Sequence, residues 1–510
     1  MRSIGHRLGP LLVIAGVVMV LADTGALPLW TGLPHLVALP PLDLYTDLGV
    51  ILTRAPSWPW FAGVLIVVLT VRVLVLALLM GGLDAARVRF AALFYGLALV
   101  PALIAAELDY IAFALLYGRL FWVTVLVVVV LLLLVGALPW HGMPTARAAW
   151  ARSGREGFRT GVLAGYLVAL LLIGMIAERW PYLVLGLVPV SAAATALTVR
   201  LLARPNPWRA RARLSGAAGA LVVVAGVVAV AVLVPADVSR VPPRREGSVV
   251  FMSGINSASG GGAVFRIDPR SWGYDCAQVY YFSYAGAGDG QPRGTAPCQA
   301  RTGAPFTPAH THRSPGAQAA LLAAQVRDLP RPLVVVGHSY SAWVAWYAVS
   351  RGLVPEVDAL VLAGALPASA HGYLPLGGRG QGVVASDLLR LLAPAASARG
   401  FPLNPDAPAF RSMLGDRDGP ARVLNEPLPE GVRALSVIAA GDLPLLPSGW
   451  RLPFANDACP ALVEHADLPD SSVMAREVNR FLDGAPEERC PAWRTWGAPL
   501  GRPFGVPPSG

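Results

Sequence analysis

The chain has 510 residues, 55% of them apolar and only 14% charged, where soluble globular proteins carry roughly a quarter charged residues. Its formal net charge is +10, and every basic side chain is arginine. The length implies two or three domains. The charge does not point to nucleic acid, because much of it sits in short loops between apolar runs and no basic stripe interleaves with aromatics.

Residues 1–236 read as a multi-pass membrane domain. Crossing about 30 Å of hydrocarbon takes about 20 apolar residues in a helix, and bare backbone in lipid must satisfy its own hydrogen bonds, which helices do. The apolar runs predict about seven spans, near 8–23, 58–81, 89–107, 119–138, 160–177, 181–202 and 214–235. Glu107–Gly118 either extends the third span or forms a short re-entrant piece. The first span also has the look of a secretory signal, with Arg2 and Arg7 ahead of an apolar core and Ala22 behind it.

Arginine is unevenly shared between alternate loops. One set holds Arg2, Arg7, Arg87, Arg89, Arg147, Arg152, Arg155, Arg159, Arg200, Arg204, Arg209, Arg211 and Arg213; the other has Arg54, Arg119 and Arg179 beside six acidic residues, Asp43, Asp47, Glu107 and Asp109 among them. Positive loops stay cytoplasmic, so an odd number of spans places everything after Val234 outside the cell membrane. Within the second apolar stretch, 58–81, Arg72 stands out. An ionisable group at that depth faces a partner or water, and Glu107 or Asp109 is the expected partner, making a structural ion pair the simplest role.

After a Pro- and Arg-bearing linker at 237–247, the chain reads as an α/β domain over 248–484, with a Pro/Gly-rich tail at 485–510. All four cysteines, Cys276, Cys298, Cys459 and Cys490, lie in this half. An even count in an exported domain implies two disulfides. Sequence proximity pairs Cys276 with Cys298 and Cys459 with Cys490, out of three connectivities. No CxxC or matching His spacing points to zinc, and the Gly260–Gly262 run lacks the GK[ST] of a phosphate loop, so neither metal nor cofactor is expected.

Ser248–Ser253 predicts a buried strand that ends at Gly254, followed by a small-residue loop. Gln278–Ser283 predicts a second strand, and Ser314–Leu329 a helix that opens on Ser-Pro. The apolar run Leu333–Val336 then enters Gly337-His338-Ser339-Tyr340-Ser341 and a helical pattern to about Arg351. Strand, tight turn and helix are what a nucleophile elbow requires. Ala434–Ala440 is a further strand ending in Gly441-Asp442-Leu443-Pro444, and His465 precedes Ala-Asp-Leu-Pro and a terminal helix at Ser472–Leu482.

With these residues in place, the stretch 247–483 resembles the α/β-hydrolase superfamily, in its lipase/esterase-like branch. Gly337 and Ser339 match the G-x-S-x-G elbow; Ser341 stands where the last glycine belongs and tightens the turn. The resemblance implies a mostly parallel sheet, a serine nucleophile at Ser339, its orienting acid at Asp442 and its base at His465, with Asp457 and Asp467 as rival acids. It also implies an oxyanion hole from the Tyr340 N–H and from Ile255 or Asn256 after the first strand. His338 is expected to pack away from the apex, and His310 and His312 to lie on the surface. The excursion at 365–430, with a helix near Ser386–Leu392 and His371 within it, is placed where the superfamily carries a cap.

Together these readings describe an outward-facing, membrane-anchored serine hydrolase, with membrane lipids around it and an acyl ester or lipid as substrate. Two alternatives remain at this point: an acyltransferase to envelope lipid or sugar hydroxyls, and a non-catalytic hydrolase-fold module on a transporter or envelope-assembly protein.

Overall fold

The structure is a computed structural model describing residues 9–141, 146–156, 159–203, 242–288, 294, 296–298, 301–368, 371–446, 451–486, 489–491, 495 and 507. It begins with helices α1 (Gly9–Asp23), α2 (Leu42–Arg54), α3 (Trp58–Leu79), α4 (Ala85–Leu115) and α5 (Gly118–Val135), with further long helices at Thr160–Arg179 and Val184–Ala203. Where the apolar runs predict seven spans, five described segments are long and apolar enough to cross a membrane: Trp58–Leu79, Ala85–Leu115, Gly118–Trp140, Thr160–Arg179 and Pro181–Ala203. The described part of α1, 15 residues, rises about 22 Å. The expected span at 214–235 lies outside the described residues. Glu107–Leu115 is no separate piece, for α4 is a single helix of 31 residues.

The segment between α1 and α3, read as a polar connection because of its acids, holds the buried helix α2. Its apolar residues line the bundle interior, and Asp43 and Asp47 are buried with them. This corrects the partner expected for Arg72. The guanidinium grips Asp47 with two bonds, Nε to Oδ2 at 2.6 Å and Nη2 to Oδ1 at 2.8 Å. Its Nη2 also donates to the Leu36 carbonyl at 2.8 Å, and Nη1 lies 3.4 Å from Asp43. Asp43 in turn accepts from the Tyr95 hydroxyl and the Leu44 N–H, each at 2.7 Å. Glu107 and Asp109 are not its partners, because α2 packs against both α3 and α4 and brings its own carboxylates to the arginine.

The second half is built on a seven-stranded sheet of β1 (Ser248–Met252), β2 (Val279–Tyr281), β3 (Arg301–Thr302), β4 (Leu333–His338), β5 (Val357–Ala363), β6 (Arg433–Val437) and β7 (Asn456–Asp457). Every pairing is parallel, in the order β3-β2-β1-β4-β5-β6-β7. Strands of an all-parallel sheet are covered on both faces and read as unbroken apolar runs; Val249–Met252 and Leu333–Val336 are buried accordingly. The chain runs outward from β1 to β3, then returns to the other side of β1 with β4. Between β1 and β4 the winding reverses, and open α/β sheets bind ligands in the crevice beyond the carboxyl ends of such a pair. Cys276 is bonded to Cys298 and Cys459 to Cys490, the second bond holding the start of the tail against the segment after β7.

Replacing Arg72 by leucine would leave Asp43 and Asp47 buried without their cation. Loss of one member of a buried pair costs about 3–5 kcal/mol, so an Arg72→Leu protein in detergent is expected to unfold at clearly lower temperature. An unaltered transition would contradict a structural role for this network.

Candidate active site

Both segments that leave the switch point turn sharply. After β4, Ser339 adopts φ 58° and ψ −125°, a backbone state that a non-glycine residue holds only when its surroundings enforce it. The Ser339 N–H donates to the Ala363 carbonyl at 2.8 Å, which pins the turn to β5. A Cβ at Gly337 would stand 2.6 Å from the Ala342 Cα, and one at Gly254 3.1 Å from the Ser339 Cβ. Glycine at both positions lets the two turns and the following helix close on each other. Ser341, where the resemblance expects glycine, is accommodated by use of its hydroxyl: Oγ accepts from the His338 N–H and reaches the Met252 carbonyl, each at 2.8 Å. It ties the ends of β1 and β4 together instead of disturbing them.

The expected acid and base meet. Asp442 follows β6 with its side chain buried, and its Oδ2 lies 2.5 Å from the His465 Nδ1. Burial draws the His465 pKa down, but the charge of Asp442 and its hydrogen bond outweigh that, so the imidazole is held above 6.5. The rival acids are engaged elsewhere. Asp467 is exposed and paired with Arg266 at 3.1 Å, while Asp457 accepts the Leu452 N–H at 2.9 Å.

Ser339 and His465 line one pocket of about 220 Å³, together with Gly254, Ile255, Asn256 and Tyr340. The Tyr340 N–H opens the helix Tyr340–Ser350, and a first-turn N–H has no acceptor within its own helix. The Asn256 N–H is not available as expected, because it donates to the Thr311 Oγ1 at 3.0 Å. Its side-chain oxygen is 2.7 Å from the His312 Nε2, leaving the amide nitrogen of Asn256 as a buried donor without a partner among the described residues. His312 is therefore a half-buried support of this loop and not a surface residue. His310 caps its own turn through Thr307.

Other contacts escape sequence reasoning. His338 does not pack away from the apex: its ring lies 5.0 Å from that of His465, and its Nε2 bonds the His465 carbonyl at 3.0 Å. Burial, reinforced by the neighbouring His465, takes its pKa down to about 3, so His338 stays neutral and donates that bond as an Nε2–H. Gly364, with φ +70°, lies so close to the His465 ring that a Cβ there would be 2.7 Å from its Cε1. Its only sequence signal is a glycine directly after an apolar strand.

The helical half also reaches the pocket. Leu115, Leu116 and Tyr117, at the junction of α4 and α5, line it together with Phe401 of the excursion, on which Tyr117 stacks at 5.2 Å. One residue later, a Cβ on Gly118 would meet the Asp442 Oδ1 at 2.8 Å. The Trp122 indole donates to the Gly441 carbonyl at 3.1 Å, and Arg119 pairs with Glu464 at 2.7 Å. The excursion carries helices at Val383–Ala398, Pro408–Met413 and Gly419–Leu424. It rests on the helical half too, where buried His371 stacks on Tyr110 at 5.3 Å.

No family model matches the chain, and no curated protein matches it. Among solved structures it is similar to the crystal structure of an N-formylmaleamic acid deformylase variant from Pseudomonas putida, with 16% identity and a TM-score of 0.24 over 46% of this chain and 92% of that one. A likeness so slight carries no weight beside the strand order and the contacts above.

Alanine at Gly364 would press on the His465 ring, and alanine at Gly118 on the Asp442 carboxylate. Each single variant is expected to slow the reaction of Ser339 with an organophosphorus probe by at least about tenfold, within the roughly hundredfold that a displacement near 1 Å can cost a reacting pair. The thermal transition of Gly118→Ala should change little by comparison, whereas Gly364→Ala, at φ +70°, should also lower it. Full reactivity in both variants would show that this spacing is not needed.

Proposed function

We propose that the chain is a membrane-anchored serine hydrolase that cleaves carboxylic esters through an acyl-enzyme on Ser339. The observation that carries the reading is the Asp442–His465 hydrogen bond at the wall of the pocket whose floor is the strained Ser339 turn. A serine hydroxyl is a weak nucleophile until a base removes its proton, and the base needs an acid to orient it. In this reading Ser339 Oγ attacks the ester carbonyl and its proton passes to the free ring nitrogen of His465. Asp442 holds the other nitrogen and balances the imidazolium. The proton then goes to the leaving alkoxide, and water repeats the sequence to release the acid. The N–H groups of Tyr340 and Ile255 face the charge that develops on the carbonyl oxygen, with the Asn256 side-chain amide as a third donor.

The arginine asymmetry and the two disulfides support a location of this half outside the cell membrane. The start of α3, the end of α4 and the start of α5 all touch the sheet-bearing half, through Trp58, Tyr110 and Arg119. These are the helix ends that the arginine count assigns to the outside. The apolar walls formed by Leu115, Leu116 and Phe401 favour an acyl substrate. They also favour a second reading, in which a lipid or sugar hydroxyl replaces water as the acyl acceptor.

Membranes holding the full chain, treated with a fluorophosphonate, are expected to give one adduct on the peptide that contains Ser339. A folded Ser339→Ala variant should give none. Labelling that survives this substitution would remove Ser339 as the nucleophile.

A further inference from the structure

A second cavity, of about 590 Å³, lies away from Ser339 between α1, α2 and α3 and is bordered by Gln381 of the excursion at 365–430. Its volume falls within the range of ligand sites, roughly 300–1,000 Å³. Trp60, Val64, Val68 and Arg72 follow one another at intervals of four along α3 and all line it, so the wall they form runs about 18 Å along the helix. Leu21 of α1 faces the same space. The polar groups divide in two. At the deep end, Arg72 and Asp47 satisfy each other. At the other end, Arg54, the last residue of α2, and Gln381 of the excursion line the cavity. Arg54 has no ion pair among the described residues, and its buried Nε has no hydrogen-bond partner there.

An unpaired guanidinium at the mouth of an apolar channel is matched by an anion that carries a hydrocarbon chain. A small hydrophilic anion would gain nothing from Val64, Val68 and Leu21, and a neutral hydrocarbon would leave the buried Nε of Arg54 without an acceptor, at a cost in free energy. We propose that this cavity binds a membrane lipid with an anionic headgroup, its phosphate or carboxylate held by Arg54 beside Gln381 and one chain lying along α3. Gln381 is followed by Gly382 and the helix Val383–Ala398, which packs on α2 and α4. The lipid thus bridges the membrane helices and the segment whose Phe401 borders the pocket of Ser339.

The test uses the full chain, stripped of lipid in detergent and titrated by native mass spectrometry with phosphatidylglycerol, phosphatidylcholine of equal chain length, and inorganic phosphate. Wild type should prefer phosphatidylglycerol. Arg54→Gln should weaken that lipid by about tenfold or more, the worth of a charge-assisted hydrogen bond, and leave phosphatidylcholine unchanged, while Arg54→Lys keeps most of the preference. Val64→Trp, which fills the channel and spares the charge, should block phosphatidylglycerol and so tests the site if Arg54→Gln does not fold. An undiminished preference in Arg54→Gln or undiminished binding in Val64→Trp would overturn the proposal. So would inorganic phosphate competing as well as the lipid.

Discussion

The contact on which the rest depends is the one between the Asp442 carboxylate and the first residue of α5. One carboxylate oxygen, Oδ2, is bonded to His465, and the other, Oδ1, has Gly118 against it, so close that a Cβ could not be added without displacement. A carboxylate out of water needs compensation. It finds it in the imidazole and in the amino-terminal end of an 18-residue helix, where the peptide dipoles leave partial positive charge. Helix α5 thus takes part in shaping the site. Its start, the Gly441 carbonyl bonded by Trp122 and the Glu464 side chain bonded by Arg119 hold the acid loop and the histidine loop in one arrangement.

From that contact the geometry passes inward through short, directional links. The His465 backbone is bonded to His338, His338 precedes Ser339, and Ser339 is bonded to the last residue of β5. Each link uses main chain or a neutral ring, which adds no charge to the pocket. The left-handed turn at Ser339 costs of order 1–3 kcal/mol. It persists because the ends of β1, β4 and β5 over-determine it, with Ser341 joining the first two. The anomalous serine of the elbow is therefore part of what holds the elbow.

What can be read from the sequence follows from how local the signal is. The strands β1, β4 and β6 are visible as apolar runs, the helix after Ser339 as a periodic pattern, and the terminal helix Ser472–Leu482 to its exact ends. Ser339, Asp442 and His465 stand out because each follows a strand-like run or precedes a helix in the order that the resemblance supplies. Contacts across the chain are not legible in this way. Nothing near Asp43 or Asp47 marks them as buried partners of Arg72, since acidic residues between apolar runs read as a loop until α2 is seen inside the bundle. His312, His338 and Gly364 act through atoms tens to hundreds of residues distant. The difference in span count falls on the two ends of the helical half: 15 residues of α1 are described, and the expected span at 214–235 lies outside the described residues.

The central claim is that Asp442 and His465 activate Ser339, and the pH dependence of its phosphonylation tests this most directly. The base works only when neutral, so the rate should rise with pH and level off above a midpoint that lies above 6.5, where Asp442 holds the imidazole. In Asp442→Asn the raising influence is gone and burial alone acts. The midpoint should then fall below its wild-type position, and the plateau rate should drop by about three to four orders of magnitude. An Asp442→Asn protein with the wild-type midpoint and plateau would contradict the account.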